Sequence, residues 1–471
     1  MHHKREQWFV AIDQGGHASR ALVYDSGGAL IDSAYCEIET LEKPGNIVEH
    51  DPVAFVASVK QVLSELAEKL GKNLERIKFG GLACQRSSIV CWNRKTGEAL
   101  SPIISWQDRR TGSDLEQYSA HLDLINEKTG LLLNPHYGAS KMRWCLENLS
   151  DVAKAEHEGT LIMSPVASYL LYHLLEQNPT VVDPANAGRT LLYDFKSGDW
   201  CKELLNVFGI KKTTLPTCVN SLHDYGSLVL NGQEIDFKLC TGDQSAAVFY
   251  SGIPRADSLY INAGTGAFVQ QIQDSLFENA NTGLLTSIVY KDKNRRLYVK
   301  EGTVNGAGRA LQWYAEKSGR LDFEKHLENW LNNYDSPPLF LNAIAGVGSP
   351  FWASFDSHFD RECGVEEGFV AILESILFLL QSNIHLFNDF KRIYISGGLS
   401  NSALFCQHLA DLSGVTVCRQ KIHEATAKGL FMLLSKTDSS PEIEQEFMPL
   451  QNGPLNHRFA CWQKEMNRIL S

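Results

Sequence analysis

Two stretches far apart in the chain carry the same pattern. "FVAIDQGGHASRALVYD", from Phe9, and "SLYINAGTGAFVQQIQD", Ser258 to Asp274, each read as an apolar run, a turn of small residues and a second apolar run. That is the signature of a β-hairpin. Each hairpin is followed by a helix and a further strand. After the first come "EHDPVAFVASVKQVLSELAEKLGK" and "IKFGGLACQRSSIVCWN"; after the second come "EEGFVAILESILFLLQSNIHLF" and "RIYISGGLSNS". In the first helix Asp51 is the expected N-cap, Pro52 the first helical residue and Gly71 the stop. Val56, Val59, Leu63, Leu66 and Leu70 share one face of it. A pattern that occurs twice predicts a duplicated α/β unit whose halves face a shared cleft. At 471 residues the chain also exceeds what one hydrophobic core holds. The halves divide into residues 1–248 and 249–471, with a hinge near Phe249 to Asp257.

Composition removes several classes of function. Asp and Glu number 55 against 44 Lys and Arg, a net charge of −11, which disfavours nucleic acid as a partner. The 11 cysteines show no C-x-x-C spacing, so neither a disulfide framework nor a zinc site is expected. "MHHKREQWFV" has no apolar signal core. The most apolar stretch, "FVAILESILFLLQ", is interrupted by Glu374 and Ser375 and is too short to span a bilayer. The expectation is a cytoplasmic enzyme with no membrane contact; a homodimer is left open.

Backbone N–H groups in a turn of Gly, Ser and Thr point outward together and bind anions, above all phosphate. The same turn can also be a plain hairpin connection. Neither hairpin turn is followed by G-K-[ST], so neither is a Walker loop, and neither is a dinucleotide fingerprint. Three such turns in matching places, "GGLSNS" included, favour phosphate. Between the halves, "FKLCTGDQSAAVFYSG" holds a strand that ends in Gly242, Asp243 and Gln244 before a helix opens. An aspartate there either caps that helix or takes the proton of a hydroxyl. Phosphoryl transfer to an alcohol needs one such carboxylate.

Eight segments in order, from "AIDQGGHASRALVYD" through "KPGNIVEHDP", "CQRSSIVCWNRKTGEALSPIISWQDRRT", "TGDQSAA", "NAGTGAF", "EGTVNGAGRALQW" and "GVGSPFW" to "SGGLSNS", resemble the FGGY family of carbohydrate kinases. That family is a branch of the actin, Hsp70 and hexokinase superfamily, and the likeness is greatest to its glycerol kinases. The resemblance implies an α/β fold of two duplicated, ribonuclease H-like domains around a central cleft for ATP and substrate. It implies transfer of phosphate from ATP, with Mg²⁺, to a hydroxyl of a small polyol or sugar. Asp243 falls on the catalytic base. Arg86, Ser87, Trp106, His136, Gln244 and Phe268 fall on acceptor-binding positions. On the nucleotide side Gly15, Gly16, His17 and Arg20 form the first phosphate turn, and Gly264, Thr265 and Gly266 the second. Gly308, Gln312, Gly397, Gly398, Asn401 and Ser402 flank the nucleotide, and Asp13 reaches Mg²⁺ through water.

Departures from the glycerol kinase pattern are part of the reading. Those enzymes have "R-E-T" where this chain has Arg86-Ser87-Ser88, and a tyrosine where it has His136, with Tyr137 next door able to stand in only if the turn shifts, so partners of the glycerol hydroxyls are gone. An acceptor longer than glycerol, a polyol or a ketose, is expected. The first turn reads "D-Q-G-T-T" in glycerol kinases, and Gly16 and His17 replace its threonines. The same changes fit a catalytically weak sensor that binds nucleotide or sugar; intact Asp243, Gln244 and Thr265 weigh against it. Trp92, Trp144, Trp313 and Trp352 read as packing residues, and Glu49-His50-Asp51 as helix capping. His423-Glu424 has no second histidine at helical spacing, and no metal site is expected there.

Overall fold

The computed structural model describes residues 7–276, 283–421, 424–437, 439 and 441–470. The chain forms two compact units, and neither is continuous in sequence. The first takes Met1–Ile253, Thr286–Tyr298 and His423–Ser440; the second takes Pro254–Leu285, Val299–Ile422 and Pro441–Ser471.

In the first unit the strands are β1 (Trp8–Gln14), β2 (Ala18–Tyr24), β3 (Leu30–Glu37), β4 (Ile77–Cys84), β5 (Leu222–Leu230) and β6 (Gln233–Gly242), in the order β5-β6-β4-β1-β2-β3. β1 and β2 form the hairpin. β4 runs parallel to β1, and β6 parallel to β4. Gln14, Cys84 and Gly242 are level across the three parallel strands, so the residues that follow them meet at one edge. The carboxyl ends of parallel strands are where open α/β sheets carry their sites.

All seven residues of β1 are buried, which requires cover on both faces of the sheet. Trp8, Val10 and Ile12 pack with Phe55, Val59 and Val62 of the helix Pro52–Leu70. That helix begins as expected, with Ala54 N–H donating to the Asp51 carboxylate at 2.8 Å. On the other face Phe9 meets the ring of Phe431 edge-on at 5.4 Å. Phe431 lies in the helix Ala425–Ser435, so the cover for one side of the first strand comes from near the far end of the chain. A cut at 248/249 separates that helix from the strand it covers.

The second unit repeats the plan. Its strands β7 (Ser258–Ala263), β8 (Ala267–Gln273), β9 (Arg296–Val304), β10 (Arg392–Ser396), β11 (Thr416–Gln420) and β12 (Ile443–Phe447) lie in the order β9-β8-β7-β10-β11-β12 within a seven-stranded sheet. Again a hairpin, β7 and β8, is followed by parallel strands, β10 beside β7 and β11 beside β10. The helix Val365–Ile384 is long and apolar enough by length and composition to cross a membrane, yet it is the buried core helix of this unit. Glu374, the acid in the middle of its apolar run, is held by Arg458, whose Nε lies 3.0 Å away. Ser375 gives its hydroxyl proton to the Ile372 carbonyl at 2.6 Å.

Candidate active site

The carboxyl edge of the first sheet gathers charge. Asp13 stands near the end of β1, 8% exposed, opposite Arg20 on β2. The Arg20 guanidinium lies 3.7 Å from the Asp13 carboxylate and 3.3 Å from that of Glu424. Burial, and after it the charge of Asp243, pushes the Asp13 carboxyl up to about 7; Arg20 opposes the shift and Glu424 adds to it. The turn beyond Asp13 closes with Gly15 N–H on the Ala18 carbonyl at 3.0 Å. Gln14 braces it from below, accepting the Ser19 hydroxyl proton at 2.6 Å and donating to the Gly15 carbonyl at 3.1 Å.

Neither Gly15 nor Gly16 has left-handed backbone. A Cβ on Gly16 would stand 3.7 Å from Trp106 Nε1 and 3.8 Å from Gln85 Oε1, ordinary contact distances. Glycine at 16 is therefore a matter of open space and not of turn geometry. His17 is exposed, and its carbonyl accepts Ile38 N–H at 2.9 Å.

Asp243 opens the short helix Asp243–Ala247 directly after β6. Its carboxylate accepts from Gln244 N–H at 2.7 Å and lies 3.8 Å from Arg86 Nε. Gly242 makes that approach possible, because a Cβ there would come within 2.5 Å of the Arg86 methylenes. Burial raises the pKa of Asp243, and Arg86 partly offsets it. Beside this pair, Trp106 and His136 meet edge to face at 5.6 Å, with Tyr137 at 5.0 Å behind the imidazole. Burial first, then the charges of Lys141 and three arginines, holds His136 far below its ordinary pKa and so neutral. The loop carrying Trp106 is fixed by Asp108, which takes Val48 N–H at 2.7 Å and a forked contact from Arg110. Arg110 also reaches Glu49 at 2.6 Å, as does Lys43. Of Glu49, His50 and Asp51, only Asp51 caps the helix; Glu49 belongs to this buried ion network.

In the second unit three glycines draw three chain segments together. Gly308 and Arg309, at the start of the helix Gly308–Ser318, donate their N–H groups to the carbonyls of Gly264 and Thr265 at 2.9 and 3.0 Å. A Cβ on Gly308 would lie 2.8 Å from the Gly264 oxygen, and one on Gly397, at φ +93, 2.6 Å from that of Ala263. Gly266 is similarly close to the Val304 carbonyl, at 3.3 Å. A cavity of about 1480 Å³ opens beside them, lined by Thr265, Gln312, Trp313, Leu327, Gly398 and Asn401 among others. Trp313 is thus a cavity wall as well as a packing residue. Ser402 lines it too, but its hydroxyl caps the helix Ala403–Ser413, accepting Phe405 N–H at 3.1 Å, and bonds Glu328. Phe268 lies half-buried on β8, opposite Asn262.

Asp13, Gly15, Gly16, His17, Arg20, Arg86, Ser87, Trp106, His136, Asp243 and Gln244 therefore belong to the first unit. Gly264, Thr265, Gly266, Phe268, Gly308, Gln312, Gly397, Gly398, Asn401 and Ser402 belong to the second. Sequence reasoning missed Glu424, whose backbone is left-handed at φ 53, and the buried Gln85, Lys141 and Ser245. Lys141 lies in a segment read only for its histidine, and Ser245 two residues beyond Asp243. His423 lies outside the described residues.

A two-domain α/β phosphotransferase, with carboxylates at one sheet edge and glycine turns lining a nucleotide-sized cavity, is the class that this architecture defines. Residues 8–249 and 259–436 match the N-terminal and C-terminal domains of the FGGY family of carbohydrate kinases. The chain belongs to that family and is an ATP-dependent kinase of its kind. It is similar to glycerol kinases of Shewanella amazonensis, 29% identical over 99% of both chains, and Alkalilimnicola ehrlichii, 31% identical over 98% of both. Solved structures share its fold. Plasmodium falciparum glycerol kinase with ADP superposes with a TM-score of 0.90 at 22% identity, covering 98% of each chain. A ligand-bound xylulose kinase from Lactobacillus acidophilus superposes with a TM-score of 0.83 at 18% identity, covering 99% of each.

Proposed function

We propose that the chain phosphorylates a hydroxyl of a small polyol or sugar longer than glycerol, using Mg·ATP. The observation that carries this is the Asp243–Arg86 pair at the carboxyl edge of the first sheet, at the same end of the sheet as Asp13. Asp243 orients the acceptor hydroxyl and receives its proton. In a loose transition state that proton leaves late, so a carboxylate is base enough. Arg86, Ser87, Trp106, His136, Gln244 and Phe268 hold the acceptor. The turns at Gly15–His17 and Gly264–Gly266 take the phosphates, and Gln312, Gly398 and Asn401 flank the adenosine.

Mg²⁺ fits the residues present. Asp13 is a buried carboxylate raised toward neutrality by burial and by a second carboxylate, an environment that a cation relieves. Among the described residues no group of three or more His, Cys, Asp or Glu could hold a metal. That suits Mg²⁺, which keeps its waters and binds through one or two carboxylates together with substrate phosphates. When bound, the ion neutralises charge on the phosphates. Asp13 is the residue that would hold it.

The test is ADP release from Mg·ATP across glycerol, erythritol, ribitol, xylulose, ribulose and sedoheptulose. Acceptor-dependent turnover is expected, with Asp243→Asn lowering it roughly 10²–10⁴-fold. ATP binding without turnover on any acceptor would overturn the proposal in favour of a nucleotide- or sugar-binding sensor.

A further inference from the structure

Two cations and a hydroxyl close over one turn of the first unit. The short strands Tyr193–Asp194 and Asp199–Trp200 pair as a hairpin, and Gly198 turns its chain at φ +81. A Cβ on Gly198 would stand 3.1 Å from Lys291 Nζ, 3.2 Å from Arg296 Nη2 and 3.5 Å from the Tyr193 hydroxyl. Left-handed backbone there disfavours any side chain, so the three groups keep the space to themselves. The stretch Thr286–Tyr298, which carries both cations, belongs to the first unit. Tyr193 is 1% exposed, and its hydroxyl has no hydrogen-bond partner among the described residues. Such a group in a native fold is met by an ion or an ordered water.

No acid balances the cations. Residues 291–296, "KDKNRR", hold four cations and one acid. Asp292 is engaged inside the turn, accepting Asn294 and Arg295 N–H at 2.7 Å each and the Tyr290 hydroxyl at 2.9 Å. Asp199 is paired with Lys212 at 2.6 Å and accepts Trp200 N–H at 2.8 Å. Arg296 Nη1 donates to the carbonyls of Lys196 and Phe195 at 2.7 and 3.5 Å and to the Tyr298 hydroxyl at 3.3 Å. The Lys291 ammonium has no hydrogen bond or ion pair among the described residues. Burial and then Arg296 hold that ammonium below its ordinary pKa, against Cys218 and Asp199. Two like charges side by side cost energy that an anion between them returns. An arginine fork beside a lysine point charge suits the oxygens of a phosphate.

We infer that Lys291, Arg296 and Tyr193 form a site for a phosphate-class oxyanion, either free phosphate or a phosphate ester. None of its residues belongs to the nucleotide or acceptor positions proposed above. The cations take the oxyanion's charge, and the tyrosine hydroxyl donates to one of its oxygens.

The experiment is calorimetric titration of the full chain with inorganic phosphate and, separately, with methyl phosphate. Mg²⁺ and a non-hydrolysable ATP analogue are kept saturating, so that the nucleotide's own phosphate positions are filled. Binding at a single site is expected, weakened several-fold by added salt. The tighter of the two anions names the source, phosphate itself or an ester. Lys291→Met should weaken binding by about tenfold or more, and Tyr193→Phe by about threefold, with the analogue's affinity unchanged. Lys293→Met, at an exposed position of the same turn, should change it less than about twofold. No binding by the wild-type chain, or unchanged binding in folded Lys291→Met, would overturn the site. So would equal losses in Lys293→Met and Lys291→Met, which would mean diffuse charge. If Lys291→Met does not fold, Tyr193→Phe decides, since it keeps the ring and removes only the hydroxyl.

Discussion

Asp13 pays for its position in stability. Its carboxyl titrates near 7 in the fold and at 3.8 ordinarily, so between those values the folded chain holds a proton that the unfolded chain has lost. Unfolding then releases a proton, and stability falls as pH rises from about 4 to 7; above 7 the penalty is complete. Without nucleotide, Asp13→Asn should therefore raise the melting temperature at pH 8, by about 1–3 kcal/mol in stability, with the gain fading toward pH 4. The same variant should lose most turnover. A melting curve of both proteins at pH 4.5 and 8 checks it, and an equal gain at both would be the wrong result. At this scale the sequence named Asp13 and Asp243 because each follows an apolar run and precedes a turn of small residues. It could not name Glu424, whose ion pair with Arg20 joins positions about four hundred residues apart. Nor could spacing show that Ser87 is left-handed or that the buried Ser245 Oγ has no hydrogen-bond partner among the described residues.

Between elements, one close approach governs the catalytic helix. Gly429, in the helix Ala425–Ser435, packs so tightly on the helix Asp243–Ala247 that a Cβ there would overlap the backbone carbonyl of Ala246. Backbone cannot rotate aside as a side chain can, so Gly429→Ala should push the Asp243 helix away from Arg86. The expected loss in kcat is on the order of 10²-fold, the scale of a displacement of about 1 Å. KM for ATP should change much less. A smaller folded fraction would lower apparent kcat in the same way, so circular dichroism must first show the variant folded; a folded variant with unchanged kcat would contradict this account. The hairpins and the capped helix Pro52–Leu70 were legible, because period and capping are local properties; the parallel pairing was not. This helix contact was not, because the glycine that allows it looks in sequence like any helical glycine. Ser402 shows the converse: a serine in a small-residue turn is also a good N-cap, and here capping uses its hydroxyl.

At the level of the whole chain, the duplicated α/β unit was readable from the two hairpins, whereas the strand order of the sheets and the discontinuity of the units were not. Periodicity assigns a segment to a helix but not to the sheet that it covers. A fragment ending at Ile253 lacks the helix that meets Phe9 of β1, so it should expose apolar surface and bind a hydrophobic dye. Linking residues 424–437 to it should restore compactness, measured by dye binding and by the cooperativity of melting. Dye-free, cooperative melting of the short fragment would contradict this account.

That late helix also sets an order of events during synthesis. The ribosome delivers β1 first and its second cover only after residue 435 has left the exit tunnel. The first domain to be translated is thus the one that waits, holding an unfinished sheet while nearly two hundred further residues are made. Newly made chains of this protein should depend on holding chaperones through that interval, and a truncating mutation anywhere before residue 425 should leave the first domain as damaged as the second.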